Sequence, residues 1–500
     1  MLLKKIVVSC CMMYLAFNAY AKKADKPNIL FIISDDLRTE LNCYGAEYIK
    51  SPNIDRLAQK GFLFTRAYCQ QAVCAASRAS FLSGCRPNTT GVDYPYSQYY
   101  VNQFWPEHPS IAEYFENQGY AVRTIGKINH GPSDNIEAKH YGRPNGTPKY
   151  YALEENKKLG GKRGRNKETP PYEAADVPDE AYQDGMYAKE GVRLIRELSQ
   201  KEEPFFIAVG FKKPHLPFAA PQKYWDKYSW DEIRLSPNPN HPQGSPEYST
   251  THYTLAKYKG PNDKDGSVIP ADYQKTLRHA YAACVSYIDA QVGKLLAQLQ
   301  ESGVLENTVV IFIGDHGWHL GDQAMWGKTT NFENATLSPL IISVPGMAKG
   351  KRLNQFVEYV DIYPTLVDLA GFEPADYLEG TSFVPLLENP EIKWKDAAFS
   401  QFPRGKKLEG YAIRTENFRY VEWRSKKDNS LLVAELYDHR NDPLESVNVA
   451  NNPAYQKVVT ELEQKLKGGW KAALPEGVTN NSNNPVAPPS VGWGPEAKKK

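Results

Sequence analysis

The sequence predicts an α/β protein in which helices cover both faces of a central sheet. Helical patterns separate several short apolar runs, and the clearest helix has apolar residues on one face from Leu277 to Leu299 and ends at Ser302-Gly303. Strands that alternate with helices in this way predict such a sheet. The apolar runs are bounded by turn or polar residues, as is typical of buried strands, and cover 28–33, 121–125, 205–209, 308–313 and 340–344.

The length of 500 residues favours a large domain with a smaller satellite. Hydrophobic residues make up 41% and charged residues 24% of the chain, which is ordinary for a soluble globular protein. Later runs at 410–414, 418–423 and 431–437 predict a small antiparallel sheet, on which a helix at 455–466 would pack. We expect a signal peptide at 1–21, a large domain at 26–394, a C-terminal α+β subdomain at 395–474 and a disordered, asparagine-rich tail at 475–500.

The first 21 residues have the pattern of a secretory signal. Lys4 and Lys5 precede an apolar run at 6–17, and Ala19-Tyr20-Ala21 offers a small-residue cleavage site. Cys10 raises a lipoprotein alternative, but the residues before it make a poor lipidation motif. We therefore expect an exported protein, periplasmic or secreted. The apolar run is too short to span a bilayer, so stable membrane insertion is not expected.

Charge and cysteine content limit the classes of partner. Removal of the leader takes away two lysines, leaving 58 basic residues against 58 acidic ones. A neutral chain does not attract polyanions globally, so we expect no nucleic-acid partner, and an anionic substrate would need a local basic pocket. Five cysteines also remain, too few for a disulfide scaffold and without the CxxC spacing of zinc sites. Their odd number leaves at least one unpaired or modified.

Four predicted strands are followed directly by charged residues or histidines that could take part in catalysis or bind a metal. In open α/β sheets the functional groups follow the carboxyl ends of the strands, so these residues predict one site. Three of them are aspartates, the hard oxygen ligands that calcium or magnesium prefers over zinc. Taken singly, the acids could be turn or capping residues, and the lysines and histidines could be solvated loop residues. The residues are Asp35 and Asp36, Lys127 and His130, Lys212, Lys213 and His215, and Asp315 and His316.

A pentapeptide, Cys74-Ala75-Ala76-Ser77-Arg78, stands at the start of a predicted helix. Arg78 would lie one turn after Cys74 on the same face. Free N–H groups and the positive end of the helix dipole would favour an oxyanion there. The alternative interpretation is a buried free cysteine ahead of a helix.

The chain from Pro27 to about Asn452 resembles the sulfatases of the alkaline-phosphatase superfamily. The resemblance rests on motifs whose order and spacing agree with that family. It implies an alkaline-phosphatase-like sandwich with a large mixed central sheet, together with the smaller C-terminal subdomain. The matching stretches are 34–38, 51–55, 70–78, Gly126-Lys127 with His130, 213–215, 315–318 and 400–404.

The resemblance also implies an enzyme that hydrolyses sulfate esters. In that family the cysteine is oxidised to formylglycine, whose hydrated aldehyde provides one hydroxyl to attack sulfur and a second to expel sulfate afterwards. One calcium ion would be held by Asp35, Asp36, Asp315 and His316 and completed by the modified Cys74. The implied catalytic residues are Cys74, Arg78, Lys127, His130, His215 and Lys328, and the implied substrate-binding residues are Lys213, Trp318 and Arg404.

Two residues depart from the family pattern. Ala76 stands where the oxygen-dependent maturation route usually meets proline, which points to a bacterial radical-type sulfatase-maturating enzyme and leaves the identity of the maturation partner open. His316 stands where many relatives have asparagine, so it could hydrogen-bond the aldehyde hydrate instead of binding the metal.

The expected substrate is a sulfated polysaccharide or its oligosaccharides. The motifs favour a 2-O-sulfated uronic acid, as in glycosaminoglycans, and algal polysaccharides such as ulvan or carrageenan are the alternative. Long insertions at 131–180 and 216–270 would line the cleft and carry this choice. A phosphatase or phosphodiesterase of the same superfamily, and a carbohydrate-binding relative without catalysis, are the competing classes.

Overall fold

The structure is a computed structural model that describes residues 26–92, 108–130, 141–142, 146, 150–161, 164–262, 264, 269–347 and 350–484. The predicted signal peptide at 1–21 lies outside the described residues. The strands are β1 (Asn28–Asp35), β2 (Phe62–Phe64), β3 (Ala67–Tyr68), β4 (Ala121–Gly126), β5 (Tyr141–Gly142), β6 (Tyr172–Ala175), β7 (Phe205–Pro214), β8 (Phe218–Pro221), β9 (Thr308–Gly314), β10 (His319–Leu320), β11 (Trp326–Gly327), β12 (Leu340–Ser343), β13 (Lys351–Leu353), β14 (Val357–Glu358), β15 (Ala397–Arg404), β16 (Leu408–Thr415), β17 (Phe418–Ser425) and β18 (Leu431–Asp438).

Helices separate most of the strands, as the sequence predicts. The α-helices are α1 (Pro52–Lys60), α2 (Cys74–Ser83), α3 (Pro87–Thr90), α4 (Ile111–Asn117), α5 (Glu154–Gly160), α6 (Gln183–Leu198), α7 (Gln222–Trp225), α8 (Ala271–Glu301), α9 (Glu333–Thr336), α10 (Ile362–Leu369), α11 (Val384–Glu388) and α12 (Gln456–Gly468). Within the described part of the chain, none of them is long and apolar enough to cross a membrane.

A large mixed sheet forms the centre of the protein. Its strand order is β13-β2-β12-β9-β1-β7-β4-β5. Strand β1 pairs in parallel with β7 on one side and β9 on the other, and β4 pairs in parallel with β7. The carboxyl ends of these four strands therefore meet at one edge of the sheet, where the sequence predicts the site.

The predicted strands are confirmed, and two of them run further than their apolar cores. Strand β1 continues through Ser34 to Asp35, and β7 continues through the Lys212-Lys213 pair to Pro214. Strand pairing uses backbone groups, so the ladder extends into polar residues that an apolar run does not include.

Two hydrophobic clusters cover the two faces of this sheet. The long helix α8 and helix α6 belong to one cluster, and helices α2, α4 and α10 contribute to the other. The predicted apolar face of α8 is buried, with Leu277 and Val292 both fully inaccessible. Helices on both faces give the layered sandwich expected for this fold class.

A second, antiparallel sheet follows in the order β15-β16-β17-β18. Three of its strands match the runs predicted at 410–414, 418–423 and 431–437, and α12 packs against it. Strand β15 adds a fourth that the apolar pattern does not reveal, because Ser400, Gln401 and Pro403 interrupt it.

The tail is more ordered than the sequence predicts. Disorder is expected from 475 onward, but residues 475–484 are packed on the large domain. Asn480 Nδ2 donates to the carbonyls of Leu378 and Gly380, and Ser482 is only 2% exposed. Composition does not reveal this order, because the asparagine side chains bond to backbone carbonyls of a surface formed elsewhere in the chain. Residues 485–500 lie outside the described part.

Candidate active site

Cys74 is the first residue of α2 and lies at the centre of the site. It is buried, and its Sγ lies 3.2 Å from Asp35 Oδ1, 3.4 Å from His316 Nε2 and 2.9 Å from Lys328 Nζ. The helix begins there because Val73 is extended, and the first helical bond runs from Ser77 N–H to the Val73 carbonyl. The N–H groups of the first turn are therefore free of helical partners, which favours negative charge beside Cys74.

Two adjacent aspartates face the thiol from the end of β1. Asp35 ends the strand, and Asp36 has a φ of 63°, a left-handed conformation that aspartate tolerates better than most residues. Its backbone N–H donates to Asp315 Oδ1 at 3.0 Å. Ligand atoms of Asp35, Asp36, Cys74 and His316 all lie within 4.8 Å of one another.

This cluster fits one divalent cation. Asp36 Oδ2 is buried and has no hydrogen-bond partner, which is costly unless something else compensates it. Burial, together with the neighbouring charge of Asp35, raises the pKa of Asp36 to about 8. Carboxylates that lie this close repel one another, and a bound cation would remove both penalties.

His316 presents a nitrogen to the same cluster. Its Nδ1 donates to the Gly317 carbonyl at 3.0 Å, which leaves a lone pair on Nε2. That atom lies 3.3 Å from Asp315 Oδ1 and 3.5 Å from Asp36 Oδ1, and burial lowers the pKa of the ring. A neutral histidine in this position can serve as a metal ligand or accept a hydrogen bond from the modified Cys74.

Arg78 lies one turn along α2 and is fully buried. Its Nε donates to Asp315 Oδ2 at 2.9 Å, and its Nη1 donates to the carbonyls of Lys127 and Ile128. Its Nη2 has no hydrogen-bond partner and lies 3.8 Å from Asp35 Oδ1. The Nη2 group of Arg78 is therefore still able to donate a hydrogen bond on the side that faces the carboxylates.

Two lysines carry the remaining positive charge. Lys127 Nζ forms an ion pair with Asp35 Oδ2, and Lys328 Nζ forms one with Asp36 Oδ1. They come from the end of β4 and from the residue after β11, which are about 200 residues apart in the chain. The expected local basic pocket is thus present on a chain with little net charge.

Two histidines complete the group. His215 Nε2 lies 3.9 Å from Asp36 Oδ2, while its Nδ1 bonds to the Leu216 carbonyl at 2.5 Å. His130 follows β4, and burial together with the positive charge of Lys127 lowers its pKa to about 3. Burial likewise lowers the pKa of His215. The structure brings every predicted catalytic and metal-binding residue to this edge of the sheet.

Three further residues, Lys213, Trp318 and Arg404, are expected to bind substrate, and the structure shows their contacts within the protein. Lys213 is buried and its Nζ donates to the carbonyls of His215 and Pro217. Trp318 is 1% exposed and supports Lys328, whose Nζ lies 5.5 Å from the centre of its ring.

Arg404 is likewise bonded to protein groups. It donates to the carbonyls of Tyr248 and Ser249, and burial lowers its pKa to about 10. That these three residues bind substrate stays a prediction. The donors of Lys213 and Arg404 bond to nearby backbone carbonyls and so hold the loops around the site, as buried lysine and arginine groups usually do.

Several residues that position the site are absent from the sequence-based set. Asp184, in the first turn of α6, accepts the backbone N–H groups of Lys212 and Lys213 at 2.8 and 2.9 Å. Tyr281 OH, on α8, donates to the Asp36 carbonyl at 2.8 Å. Neither residue lies in a motif, and nothing in the local sequence distinguishes them from ordinary helix residues.

Comparisons with known proteins identify the family of this chain. The sulfatase family model matches residues 27–372, and the model described as N-sulphoglucosamine sulphohydrolase, C-terminal, matches residues 314–471. The first of these covers more than half of the chain. The resemblance found from the motifs is confirmed.

Individual relatives extend over most of the chain. Iduronate 2-sulfatase of Mus musculus is 32% identical over 88% of this chain and 93% of its own length. An ulvan-active sulfatase of Formosa agariphila is 28% identical, covering 88% and 80%. Among solved structures, a phosphonate monoester hydrolase of Agrobacterium radiobacter matches with a TM-score of 0.69 and 25% identity, covering 88% and 94%. The chain therefore belongs to the sulfatase family of sulfuric ester hydrolases.

Proposed function

We propose that this protein is an exported, formylglycine-dependent sulfatase that removes sulfate from a sulfated polysaccharide or its oligosaccharides. The observation that carries the proposal is the position of Cys74, buried at a helix N-terminus and within hydrogen-bonding reach of Asp35, His316 and Lys328. A buried structural cysteine has no need of three ionisable neighbours, whereas a nucleophile does.

A 2-O-sulfated uronic acid is the substrate that we favour. The mouse relative at 32% identity is named iduronate 2-sulfatase, and it matches this chain over most of both lengths. The ulvan-active relative at 28% identity keeps algal polysaccharides as the alternative.

The metal would be held by Asp35, Asp36, Asp315 and His316. A calcium ion bound there would supply positive charge against the oxygens of the sulfate. The four residues come from the ends of β1 and β9, which pair in parallel, so the sheet itself fixes their spacing.

The modified Cys74 would supply the hydrated aldehyde as nucleophile. Arg78 and Lys127 lie beside it and would bind sulfate oxygens through their remaining N–H groups. His215 Nε2 and Lys328 Nζ face the two oxygens of Asp36 and would act on the leaving sugar oxygen. His130 follows Lys127 after the end of β4 and would accept the proton released when sulfate is expelled.

The test is turnover by protein produced with a sulfatase-maturating enzyme. Aryl sulfate, a 2-O-sulfated uronic acid disaccharide, and ulvan and carrageenan oligosaccharides would be assayed for released sulfate. Cys74→Ala protein from the same host is the control. Release of sulfate from none of them by protein that carries the aldehyde would contradict the proposal.

Phosphonate or phosphate ester hydrolysis is the second candidate, because the Agrobacterium structure shares the fold at 25% identity. Two-metal phosphatases need a second group of ligands next to the first. The other group of potential ligands in the described residues, Glu333, His439 and Glu445, is occupied by the Arg419 guanidinium, which pairs with both glutamates. An aryl phosphonate or phosphate turned over faster than the matching aryl sulfate would favour this second candidate.

A further inference from the structure

Arg165 lies beside the catalytic residues but belongs to none of the motifs. It follows α5, and its Nη1 donates to the Leu216 carbonyl at 3.2 Å and to Tyr258 OH at 2.9 Å. The same Leu216 carbonyl bonds to His215 Nδ1. The guanidinium of Arg165 and the ring of His215 are therefore neighbours on one carbonyl oxygen.

The guanidinium of Arg165 forms no ion pair with a carboxylate within the described residues, unlike the buried Arg78 and Arg419. The charge of Asp35 acts on it without direct contact and helps to raise its pKa. It lies 5.0 Å from the centre of the Tyr150 ring, and Lys212 Nζ lies 5.3 Å from the same centre. Half-buried arginines usually form an ion pair with a carboxylate. Here two cations instead lie against one aromatic ring, next to a site that would bind an anion.

The free edge of this guanidinium is the one suited to oxyanions. Both hydrogen bonds that Arg165 makes to described residues use Nη1, and no described residue accepts a hydrogen bond from Nε or Nη2. These two atoms are also not among the polar atoms sealed from solvent. The edge formed by Nε and Nη2 can bind the two oxygens of a carboxylate or sulfate in a bidentate manner.

We propose that Arg165 binds a second anionic group of the substrate, a carboxylate or a further sulfate of the same saccharide, next to the sulfate that is removed. Tyr258 OH and the Leu216 carbonyl fix Nη1, so the opposite edge of the guanidinium is preorganised for this group. This rests on the proposed function and deepens it, because it limits the substrates to saccharides with two negative groups. A uronic acid supplies the carboxylate, and a disulfated sugar supplies the second sulfate.

The test compares Arg165→Gln with the wild type on four substrates. These are a 2-O-sulfated uronic acid disaccharide, its carboxyl-reduced counterpart, a disulfated saccharide without a carboxylate and an aryl sulfate. Loss of a charged bidentate contact should lower kcat/KM for the doubly anionic substrate by about 10- to 100-fold. Activity on the aryl sulfate and on the carboxyl-reduced sugar should stay within about twofold. The loss is expected mainly in KM, because the contact binds substrate and not the reacting atoms.

Two further variants guard against misinterpretation. Arg193→Gln is the matched control, since Arg193 is exposed on α6 and pairs only with Glu190 and Glu197. Arg165→Lys keeps the positive charge but loses the bidentate edge. Its kcat/KM on the doubly anionic substrate should lie between the values of the wild type and Arg165→Gln. Melting temperatures of all variants check that they fold.

Binding measurements make the result independent of turnover. The Kd of each saccharide would be measured by calorimetry for Cys74→Ala protein with and without Arg165→Gln. A selective loss for the uronic acid identifies the carboxylate, and a selective loss for the disulfated sugar identifies a second sulfate. Equal losses on all substrates, aryl sulfate included, would show that Arg165 only positions His215, and unchanged Kd values would also overturn the proposal. Absence of any sulfatase activity with a selective loss in Kd would instead count against the proposed function alone.

Discussion

Single side chains decide the chemistry of this site, beginning with Cys74. Its thiol contacts a carboxylate, an imidazole and an ammonium group, although burial raises its pKa. A thiol held in its neutral form is a poor nucleophile, so the unmodified residue does not suit the reaction. This fits a residue whose active form is the aldehyde.

We therefore expect active protein to carry formylglycine at position 74. Peptide mass spectrometry of the tryptic segment that contains Cys74 should find the aldehyde in proportion to specific activity. Cys74→Ala should abolish turnover, because the nucleophile is gone. Fully active protein that shows only unmodified cysteine would contradict the expectation.

Asp36 should be essential for the metal. Asp36→Asn keeps a residue type that tolerates the φ of 63° but removes one negative charge from the ligand set. We expect the variant to lose stoichiometric calcium and sulfatase activity while keeping its fold, as measured by elemental analysis and circular dichroism. Asp272→Asn, at an exposed position on α8, is the matched control. Stoichiometric zinc in the wild type, or calcium retained by Asp36→Asn, would refute this assignment.

His215 should matter most for poor leaving groups. A proton or hydrogen bond given to the leaving oxygen is worth about 100- to 10,000-fold when that oxygen belongs to a sugar alcohol, and much less for an activated phenol. His215→Ala should therefore reduce kcat/KM on saccharide sulfates far more than on aryl sulfates. Similar losses on both would mean that His215 binds substrate and does not act on the leaving oxygen.

At the scale of elements, the sheet edge and the start of α2 assemble the site. The parallel pairing of β1 with β7 and β9 brings Asp35, His215 and Asp315 together from three distant parts of the chain. Helix α2 packs in the hydrophobic cluster on one face of the central sheet and places Cys74 and Arg78 at that edge. The geometry is thus a consequence of strand order, which is why the catalytic groups follow strand ends.

The first turn of α2 should accept proline at position 76. The first intrahelical bond is made by Ser77 N–H, so the N–H of Ala76 has no helical partner to lose. We expect Ala76→Pro to fold and to gain the aldehyde in a host that has only the oxygen-dependent maturation enzyme. Wild-type protein from the same host, analysed by the same mass spectrometry, is the comparison. Equal conversion of both proteins would show that Ala76 does not select the maturation partner.

At the scale of the whole molecule, ion pairs join the C-terminal sheet to the large domain. Arg419 on β17 donates to Glu445 Oε1 at 2.5 Å and to Glu333 of α9, which also accepts from Tyr68 OH at 2.7 Å. A second group links Arg86 to Glu358, which Lys395 also contacts at 3.1 Å. The C-terminal subdomain is therefore tied to the segment that carries the site.

Removal of one partner of such a pair should be costly. Arg419→Met would leave the buried Glu445 and the half-buried Glu333 without this cation, and we expect a loss of about 3 to 5 kcal/mol in the free energy of unfolding. The change in the free energy of unfolding is measured by urea denaturation. Lys457→Met, which removes an exposed pair with Glu461 in the same subdomain, should cost less than about 1 kcal/mol. Equal effects would show that the buried network contributes no more than a surface pair.

Much of the fold and of the site follows from the sequence. Apolar runs and helical periodicity predict the α/β class and the central strands because they report local burial. The residues at the strand ends predict the site because parallel strands bring their carboxyl ends to one edge. The signature around Cys74 identifies the sulfatase family because the chemistry tolerates few substitutions there.

The remaining features depend on partners that are distant in the chain. The carbonyls that bind Lys213 and Arg404, the packing of Trp318, strand β15 and the contacts of residues 475–484 exist only once the chain is folded. The same is true of Arg165, whose free edge is visible only beside Leu216 and Tyr258. The sequence by itself determined which chemical groups this protein possesses and the family to which it belongs. The tertiary structure alone decided which of these groups are bonded within the protein and which remain available to a substrate, since burial and hydrogen bonding are settled by contacts that local sequence does not encode.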